Sequence, residues 1–268
     1  MLKEEMIKIL EKHYEIKINE FERSKESTDK NVYIIQSEKE KYVLKIYNTK
    51  EHTFEMINLH MFLKESNINV PEVIKSNTSE NFVLVDRKYF VMYSFIEGKK
   101  LKYLQFNKYT IGQIAEYLRN LHELKNIEIN LERVPFQINS NRMSILHFDV
   151  TKNNIFYNDG KIYFIDFDDA KYGPAICDVA IAVTNLFISK ANGADINGIK
   201  CFIDSYYGID DKIKKEELPL IKEIATTWLK SILNNSNFDM QLKAGIENKL
   251  YWINKIYETM MQNILNNH

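Results

Sequence analysis

The spacing of apolar residues changes near residue 95 of this chain. Before that point, runs of β-branched and aromatic residues alternate with polar turns, which is typical of antiparallel strands. The predicted strands lie at 32–35, 42–47, 82–85 and 89–95. Two amphipathic helices accompany them, one at the start of the chain around Met6 and one at 51–64. We therefore expect a small N-terminal lobe with a sheet of about five strands and one main helix.

Beyond Gly98 the apolar positions recur at helical spacing. The predicted helices lie at 111–124, 179–188, 196–206, 216–233 and 241–265. A sheet-rich segment followed by a helix-rich one indicates an α+β protein with two lobes, which we place at 1–95 and 96–268. The chain shows no linker rich in Pro, Gly or Ser, so the boundary between the lobes is expected to be a short hinge.

Composition narrows the class of partner. The chain has 268 residues, of which 45% are hydrophobic, enough for a substantial core. A formal net charge of -1 lacks the basic excess of nucleic-acid binders, so no nucleic-acid partner is expected. The N-terminus lacks the apolar core of a signal peptide, and the run 179–188 is too short to cross a bilayer. We therefore predict a cytoplasmic protein without a membrane partner. Cys177 and Cys201 are too few for a disulfide framework.

Residues 147–169 carry the residue types that phosphoryl transfer requires. The run His-Phe-Asp-Val-Thr-Lys-Asn-Asn places Asp149 five residues before Asn154. Two apolar runs follow, split by Asp159-Gly160, a dipeptide suited to a tight two-residue turn. Pairing outward from that turn places Asn154 diagonal to Asp166. The side chains of Asn154 and Asp166 are thus expected to meet at the open end of one hairpin.

Oxygen ligands of this kind suit magnesium, a hard cation that accepts few protein ligands beside phosphate and water. We therefore predict that Asn154 and Asp166 hold Mg²⁺ on a nucleoside triphosphate. Asp149, carried on the preceding loop, is expected to face the acceptor hydroxyl and to take its proton as the catalytic base.

The pattern H-x-D-x-x-x-x-N followed by D-F resembles the catalytic and metal-binding loops of the protein-kinase fold. More specifically, the run Ile-Asp-Phe-Asp-Asp and the later Pro174 and Asp178 resemble the aminoglycoside phosphotransferase family, which also contains choline kinases and homoserine kinases. The resemblance implies a protein-kinase-like fold with the active site in the cleft between two lobes. It also implies ATP or GTP as co-substrate, Mg²⁺, and a small hydroxylated acceptor, either an antibiotic or a metabolite.

The same resemblance assigns roles to residues of the N-terminal lobe. Lys45 is expected to bind the α and β phosphates, with Glu55 as its partner and Glu51, one turn earlier, as the alternative. The alternation of the strand alone fits an exposed lysine equally well. The Ser94 carbonyl and the Ile96 amide are expected to contact the adenine edge.

The sequence also departs from the protein-kinase pattern. Its first glycine is Gly98, so the glycine-rich phosphate loop is missing and residues 27–31 occupy its place. Phe148 and Asp168 stand where protein kinases usually have Arg and Gly. These differences favour a small-molecule kinase over a protein kinase. They also leave open a catalytically inert, kinase-like binding module.

Other residues are expected to support the site. By the resemblance, His147 braces the catalytic loop, residues 147–154, and Asp178 holds the same loop. The position of Asp178 after Pro174 also predicts that it caps a helix. His60 and His122 are expected to serve packing or the surface.

The sequence indicates less about the phosphate acceptor than about the nucleotide site. Residues 210–268 carry equal numbers of acidic and lysine side chains, so no acidic lining for a polycationic aminoglycoside is evident. Four aromatic residues of this segment either form a cage for a quaternary ammonium or pack in ordinary helix contacts. They are Trp228, Tyr251, Trp252 and Tyr257.

Overall fold

The computed structural model describes residues 2–25, 31–104, 106–125, 127–189, 191, 193–208, 211–234 and 240–265, with the backbone alone at 211, 240, 241 and 256–265. The chain forms two compact units, Met1–Glu97 and Gly98–His268. Sequence analysis placed the division between residues 95 and 96. The first unit contains an antiparallel sheet and the second is largely helical, which confirms the predicted α+β, kinase-like fold class.

The first unit holds a six-stranded antiparallel sheet, with strand order β1-β2-β3-β6-β4 and β5 paired to β6. Its elements are α1 (Lys3–Tyr14), β1 (Ile18–Arg23), β2 (Val32–Ser37), β3 (Lys41–Tyr47), α2 (Lys50–Glu65), β4 (Val73–Ile74), β5 (Val83–Val85) and β6 (Lys88–Ser94). The predicted phosphate-loop segment 27–31 lies between β1 and β2, and all of it except Asn31 is outside the described residues.

The two helices of the first unit cover opposite faces of its sheet. Leu10 of α1 shares a buried cluster with Leu44 of β3 and Phe90 of β6. On the other face, the His60 ring of α2 lies 4.8 Å from the Tyr93 ring of β6. Since successive residues of a strand point to opposite faces, odd-numbered positions of β3 face α2.

The second unit begins with a short strand and then alternates helices with small antiparallel sheets. Its elements are β7 (Lys99–Lys100), α3 (Lys108–His122), β8 (Met143–Leu146), β9 (Ile155–Asn158), β10 (Lys161–Phe164), β11 (Lys171–Pro174), α4 (Ile176–Phe187), β12 (Ile188–Ser189), β13 (Gly193–Ala194), α5 (Ile196–Tyr207), α6 (Asp211–Glu217), α7 (Ile221–Leu233) and α8 (Met240–Leu265). The sheets pair β10-β9-β7, β11-β8 and β12-β13.

The prediction of one continuous helix at 216–233 is wrong. The structure divides this segment into α6, a 3-10 turn at Leu218–Leu220, and α7. Pro219 lies in that turn. Proline has no backbone N–H, and its ring crowds the preceding residue, so an α-helix cannot continue through it without loss.

Helix α4 forms the centre of the second unit. Every residue of α4 is buried except Asn185, which is half-buried. Helices α5 and α7 pack against it, while α3 packs against α5. An amphipathic helix has one polar face, so a helix that is apolar almost all round belongs in a core. Within the described residues, no helix is long and apolar enough to span a membrane.

Candidate active site

The hairpin predicted from the Asp159-Gly160 turn is present. Strands β9 and β10 pair with Asn158 opposite Lys161. The two turn residues, Asp159 and Gly160, have positive φ of 46° and 79°, as a two-residue type I′ turn requires. The pairing extends to the open end, where the Ile165 N–H donates to the Asn154 carbonyl at 2.9 Å.

Asn154 is bound to Asp149 through its side chain. Its amide nitrogen donates to Asp149 Oδ2 at 2.7 Å and to the Asp149 carbonyl at 3.1 Å. Both partners can only accept, so the Asn154 nitrogen must face them and Oδ1 must face away. Oδ1 accepts no hydrogen bond from a residue that the structure describes. An oriented amide oxygen of this kind is suited to ligating a cation.

Negative charges gather around the Asp149 carboxyl. Burial raises its pKa above the ordinary value, and the carboxylates of Asp169 and Asp166 raise it further, while the neighbouring His147 and the hydrogen bond from Asn154 lower it. Asp166 follows the hairpin with a left-handed backbone, φ 66°, and its side chain is exposed. The catalytic loop and the hairpin end therefore form one acidic cluster.

The chemistry of this cluster fits a magnesium ion that is completed by phosphate and water. Asn154 offers an amide oxygen and Asp166 a carboxylate, which are hard ligands. No group of three or more His, Cys, Asp or Glu side chains able to hold a metal occurs among the described residues. A cation bound here would thus depend on a phosphorylated ligand, as magnesium at nucleotides generally does.

His147 is a buried brace for the catalytic loop. Its Nε2 lies 2.8 Å from the Ile165 carbonyl, and its Nδ1 lies 3.2 Å from the Asp149 N–H. A carbonyl can only accept and an N–H can only donate, so Nε2 carries the proton and Nδ1 carries none. Both ring nitrogens are occupied, which leaves neither available to act as a base.

Asp178 holds the backbone of the catalytic loop from the first turn of α4. Its carboxylate accepts from the His147 N–H at 2.7 Å and from the Phe148 N–H at 2.8 Å. Phe148 has φ 63°, a region that L-residues rarely adopt. The prediction that Asp178 holds this loop is confirmed, and the prediction that it also caps the helix is wrong. The N-cap position is Ala175, and Asp178 lies three residues further in, because its oxygens are directed to the loop.

A polar network that the sequence did not reveal supports Asp178. His122 Nε2 lies 3.2 Å from Asp178 Oδ2, and both side chains are fully buried. His122 Nδ1 is 2.7 Å from the Tyr206 hydroxyl, which also accepts from Arg142. Arg142 pairs with Glu217 at 2.8 Å. These residues are far apart in sequence, so no local pattern could have joined them.

Two further residues beside the catalytic loop were also missed. Asn185 of α4 donates to the Val150 carbonyl at 3.1 Å, and its Oδ1 accepts from Lys249 Nζ of α8 at 2.6 Å. Burial lowers the pKa of Lys249 from 10.5 to about 8, with attraction by Asp149 and repulsion by Lys152 as smaller effects. The ammonium of Lys249 is therefore close enough to Asp149 for their charges to interact.

The predicted nucleotide-binding residues all lie in the first unit. Lys45 is half-buried in β3 and occupies an odd position, so its side chain lies on the face that α2 covers. Glu55 of α2 is half-buried, whereas the alternative Glu51 is exposed. These positions are consistent with the roles expected of Lys45 and Glu55, which stay predictions.

Ser94 and Ile96 lie at and just beyond the end of β6. The Ser94 N–H donates to the Glu72 carbonyl at 2.8 Å, and its hydroxyl accepts from the Glu72 N–H at 2.9 Å. These two bonds fix the end of the strand. The adenine contacts assigned to the Ser94 carbonyl and the Ile96 amide stay predictions.

The aromatic residues of the C-terminal helices do not share one cavity. Trp228 is buried, and within the described part of the chain it makes no ring contact with Tyr251 or Trp252. The ammonium of Lys255 already lies over the Tyr251 and Trp252 rings, at 5.4 and 5.2 Å from their centroids. The side chain of Tyr257 is outside the described residues. Trp228 thus packs in the core, whereas Tyr251 is 55% exposed, and the described residues form no shared cage.

Comparisons with known proteins agree with this architecture. Residues 127–199, which include the catalytic loop and the hairpin, match the family model described as "Phosphotransferase enzyme family". Spectinomycin phosphotransferase APH(9)-Ia has a similar solved structure, at TM-score 0.68 and 16% identity over 98% of this chain and 99% of that one. Amicoumacin kinase hAmiN gives TM-score 0.70 and 16% identity over 97% and 94% of the two chains. An aminoglycoside phosphotransferase from Alicyclobacillus acidocaldarius gives TM-score 0.70 and 11% identity over 99% and 97%.

A curated relative covers less of the chain. The KEOPS complex subunit Bud32 of Pyrococcus abyssi is 26% identical over 157 residues, which span 58% of this chain and 56% of that protein. The structures share the fold along nearly their whole length, and the family match covers the catalytic loop. The resemblance to aminoglycoside phosphotransferases and related small-molecule kinases is thus confirmed, in the fold by the solved structures and in residues 127–199 by the family model.

Proposed function

We propose that this protein is a kinase that transfers the γ-phosphoryl group of ATP or GTP to a hydroxyl of a small antibiotic or metabolite. The observation that carries the proposal is the bond from Asn154 to Asp149 at the open end of the hairpin. It joins the expected metal ligand to the expected base, beside the charges of Asp166 and Asp169. Phosphoryl transfer requires this combination of alignment and charge more than covalent chemistry.

Each residue then has a defined task. Asp149 orients the acceptor hydroxyl and takes its proton, a role for which its raised pKa makes the carboxylate a better base. Asn154 and Asp166 would hold Mg²⁺, which neutralises charge on phosphate oxygens when it is bound. Lys45 binds the α and β phosphates, with Glu55 to orient it. The Ser94 carbonyl and the Ile96 amide bind the adenine.

Similar structures support a nucleotide co-substrate. The spectinomycin phosphotransferase was solved with ADP and spectinomycin, and the amicoumacin kinase with AMP-PNP and Ca²⁺. Their acceptors differ from each other although the fold is shared. The shared fold therefore does not determine the acceptor, and we expect its identity to depend on the residues around Asp149.

The test is transfer of labelled γ-phosphate from ATP or GTP to a panel of spectinomycin, kanamycin, choline and homoserine, together with acceptor-free hydrolysis, both with and without Mg²⁺. We expect Asp149→Asn to lower turnover at least about a hundredfold, on the scale of a positioned base. Asp159→Asn is the matched control, because Asp159 is exposed in the turn and Asn suits its positive φ. Near-normal turnover of the Asp149 variant would exclude the assigned role.

A second candidate is a kinase-like module that acts within a protein complex. The match to a KEOPS complex subunit, which spans 56% of that relative, favours it, as do the missing glycine-rich loop and Phe148. The retention of Lys45, Asp149, Asn154 and Asp166 argues for catalysis. Magnesium-dependent nucleotide hydrolysis that is lost in Asp166→Asn would favour the enzyme, and absence of nucleotide turnover would favour the module.

A further inference from the structure

The ammonium of Lys249 lies close to the backbone beside the predicted base. Its Nζ is 2.6 Å from Asn185 Oδ1, and the Asn185 amide donates to the carbonyl of Val150, the residue after Asp149, at 3.1 Å. Asn154, the predicted metal ligand, reaches Asp149 from the hairpin, whereas Lys249 reaches the next residue from α8 through Asn185 of α4.

Lys249 is held in place without a counter-charge. Its ammonium donates to Asn185 Oδ1, and Asn185 is fixed in turn to the carbonyl of Val150 beside the base. Lys249 forms no ion pair with any residue that the structure describes. A half-buried ammonium with one neutral partner retains donors that an anion can use, and it gains more from an anion than an exposed lysine does.

Lys152 adds a second cation, and its charge acts on Lys249. It belongs to the catalytic loop, is half-buried, and lies 4.9 Å from the centroid of the Phe106 ring. Asp195 is the acidic group that acts on Lys152. Two lysines near the base are unsuited to a polycationic acceptor, since like charges brought together disfavour binding.

We propose that Lys249, assisted by Lys152, binds an anionic group of the acceptor, so that the substrate is a hydroxylated carboxylate or phosphate rather than an aminoglycoside. This inference rests on the proposed function, because it assumes that Asp149 faces the acceptor. Asn185 links Lys249 to the backbone beside the base, so we expect the anionic group to lie close to the phosphorylated hydroxyl.

The test is calorimetric titration of the full-length protein with four small compounds, with and without Mg·ADP. Glycerate offers a carboxylate and glycerol 3-phosphate a phosphate, while glycerol is neutral and kanamycin is a polycation. We expect one or both anions to bind, and Lys249→Gln to weaken that binding at least about tenfold, the scale of one charged hydrogen bond. The anion with the larger loss identifies the chemical group. Lys243→Gln, an exposed lysine of the same helix, is the matched control and should bind as the wild type does.

Several results would overturn the proposal. They are absence of anion binding, equal anion binding by wild type and Lys249→Gln, and tighter binding of kanamycin than of either anion. An equal loss of affinity for AMP-PNP in the variant would also overturn it, because Lys249 would then serve the transferring phosphoryl group. Failure of phosphoryl transfer would contradict the proposed function and not this anion site, so the two can be told apart.

Discussion

The side-chain nitrogen of Asn154 lies 2.7 Å from Oδ2 of Asp149, and the same nitrogen also reaches the Asp149 carbonyl. The Asn154 amide thus fixes the position of the predicted base, Asp149, and its own oxygen points away from that residue. Replacing it should therefore disturb proton transfer and metal binding together.

We expect Asn154→Ala to raise the Mg²⁺ concentration needed for half-maximal activity at least about tenfold and to lower maximal turnover. A magnesium titration of nucleotide turnover measures both quantities. Asn153→Ala provides the control, because Asn153 is the exposed neighbour in the same loop. An unchanged magnesium requirement in the Asn154 variant would remove this residue from the metal site.

Asp178 should be needed for the stability of the second unit. We expect Asp178→Ala to lower the free energy of unfolding by about 3 to 5 kcal/mol, since it leaves His122 and two backbone N–H groups buried without their acceptor. Urea unfolding followed by tryptophan fluorescence reports on this unit, because both tryptophans, Trp228 and Trp252, belong to it. Glu116→Gln, an exposed change in α3, should remain within about 0.5 kcal/mol of the wild type. A similar small effect in Asp178→Ala would contradict the network.

Gly98 should resist substitution by alanine. It has φ 124°, and an added Cβ would lie 2.5 Å from the Tyr157 carbonyl oxygen of β9. We expect Gly98→Ala to destabilise the protein by about 1 to 3 kcal/mol.

Gly245 of α8 is the contrasting glycine. An added Cβ there meets nothing within 4 Å. We expect Gly245→Ala to stabilise the protein by about 0.5 to 1 kcal/mol, because alanine favours a helix interior. Paired thermal or urea unfolding curves compare the two variants, and equal shifts of the same sign would refute the explanation.

Binding of a carboxylate at Lys249 should weaken as pH rises. Burial lowers the pKa of this lysine to about 8, so the ammonium is charged below that pH and neutral above it. The other charged groups that act on Lys249 are Asp149 and Lys152, and Asp195 acts in turn on Lys152. We expect the glycerate affinity of the wild type to fall between pH 7 and pH 9, over which an ordinary lysine, with a pKa of about 10.4, keeps its charge.

Two variants separate Lys249 from those neighbours in the same calorimetric measurement. Lys249→Arg should keep its affinity for glycerate up to pH 9, because a guanidinium does not lose its proton in this range. Lys249→Gln should bind weakly and show little change with pH. A wild-type affinity that stays constant from pH 7 to pH 9 would contradict the assignment.

The sequence predicted what depends on neighbouring residues. The Asp159-Gly160 turn determines the pairing of β9 with β10, and the pairing determines where Asn154 lies. The residues of such a turn are adjacent in sequence, so the strand pairing can be counted outward from them. The helical spacing of 111–124 and 196–206 was similarly sufficient for α3 and α5, apart from a few residues at their ends.

The partners of these local elements could not be predicted. For Asp178 the local pattern predicted only an N-cap, which the structure does not show, and its contact with the catalytic loop was predicted from the family resemblance alone. His122 and Lys249 bond to Asp178 and Asn185 of α4, which are 56 and 64 residues away in sequence. The spacing of apolar residues predicts the helices, but it does not indicate which polar residues of different helices come into contact.

The bridge at position 185 restricts which amino acids can occupy it. The side chain must accept from an ammonium on one side and donate to a carbonyl on the other. Aspartate offers no donor, leucine offers neither group, and glutamine is longer by one methylene. In a library randomised at this codon and screened for phosphorylating activity, asparagine should dominate the surviving clones.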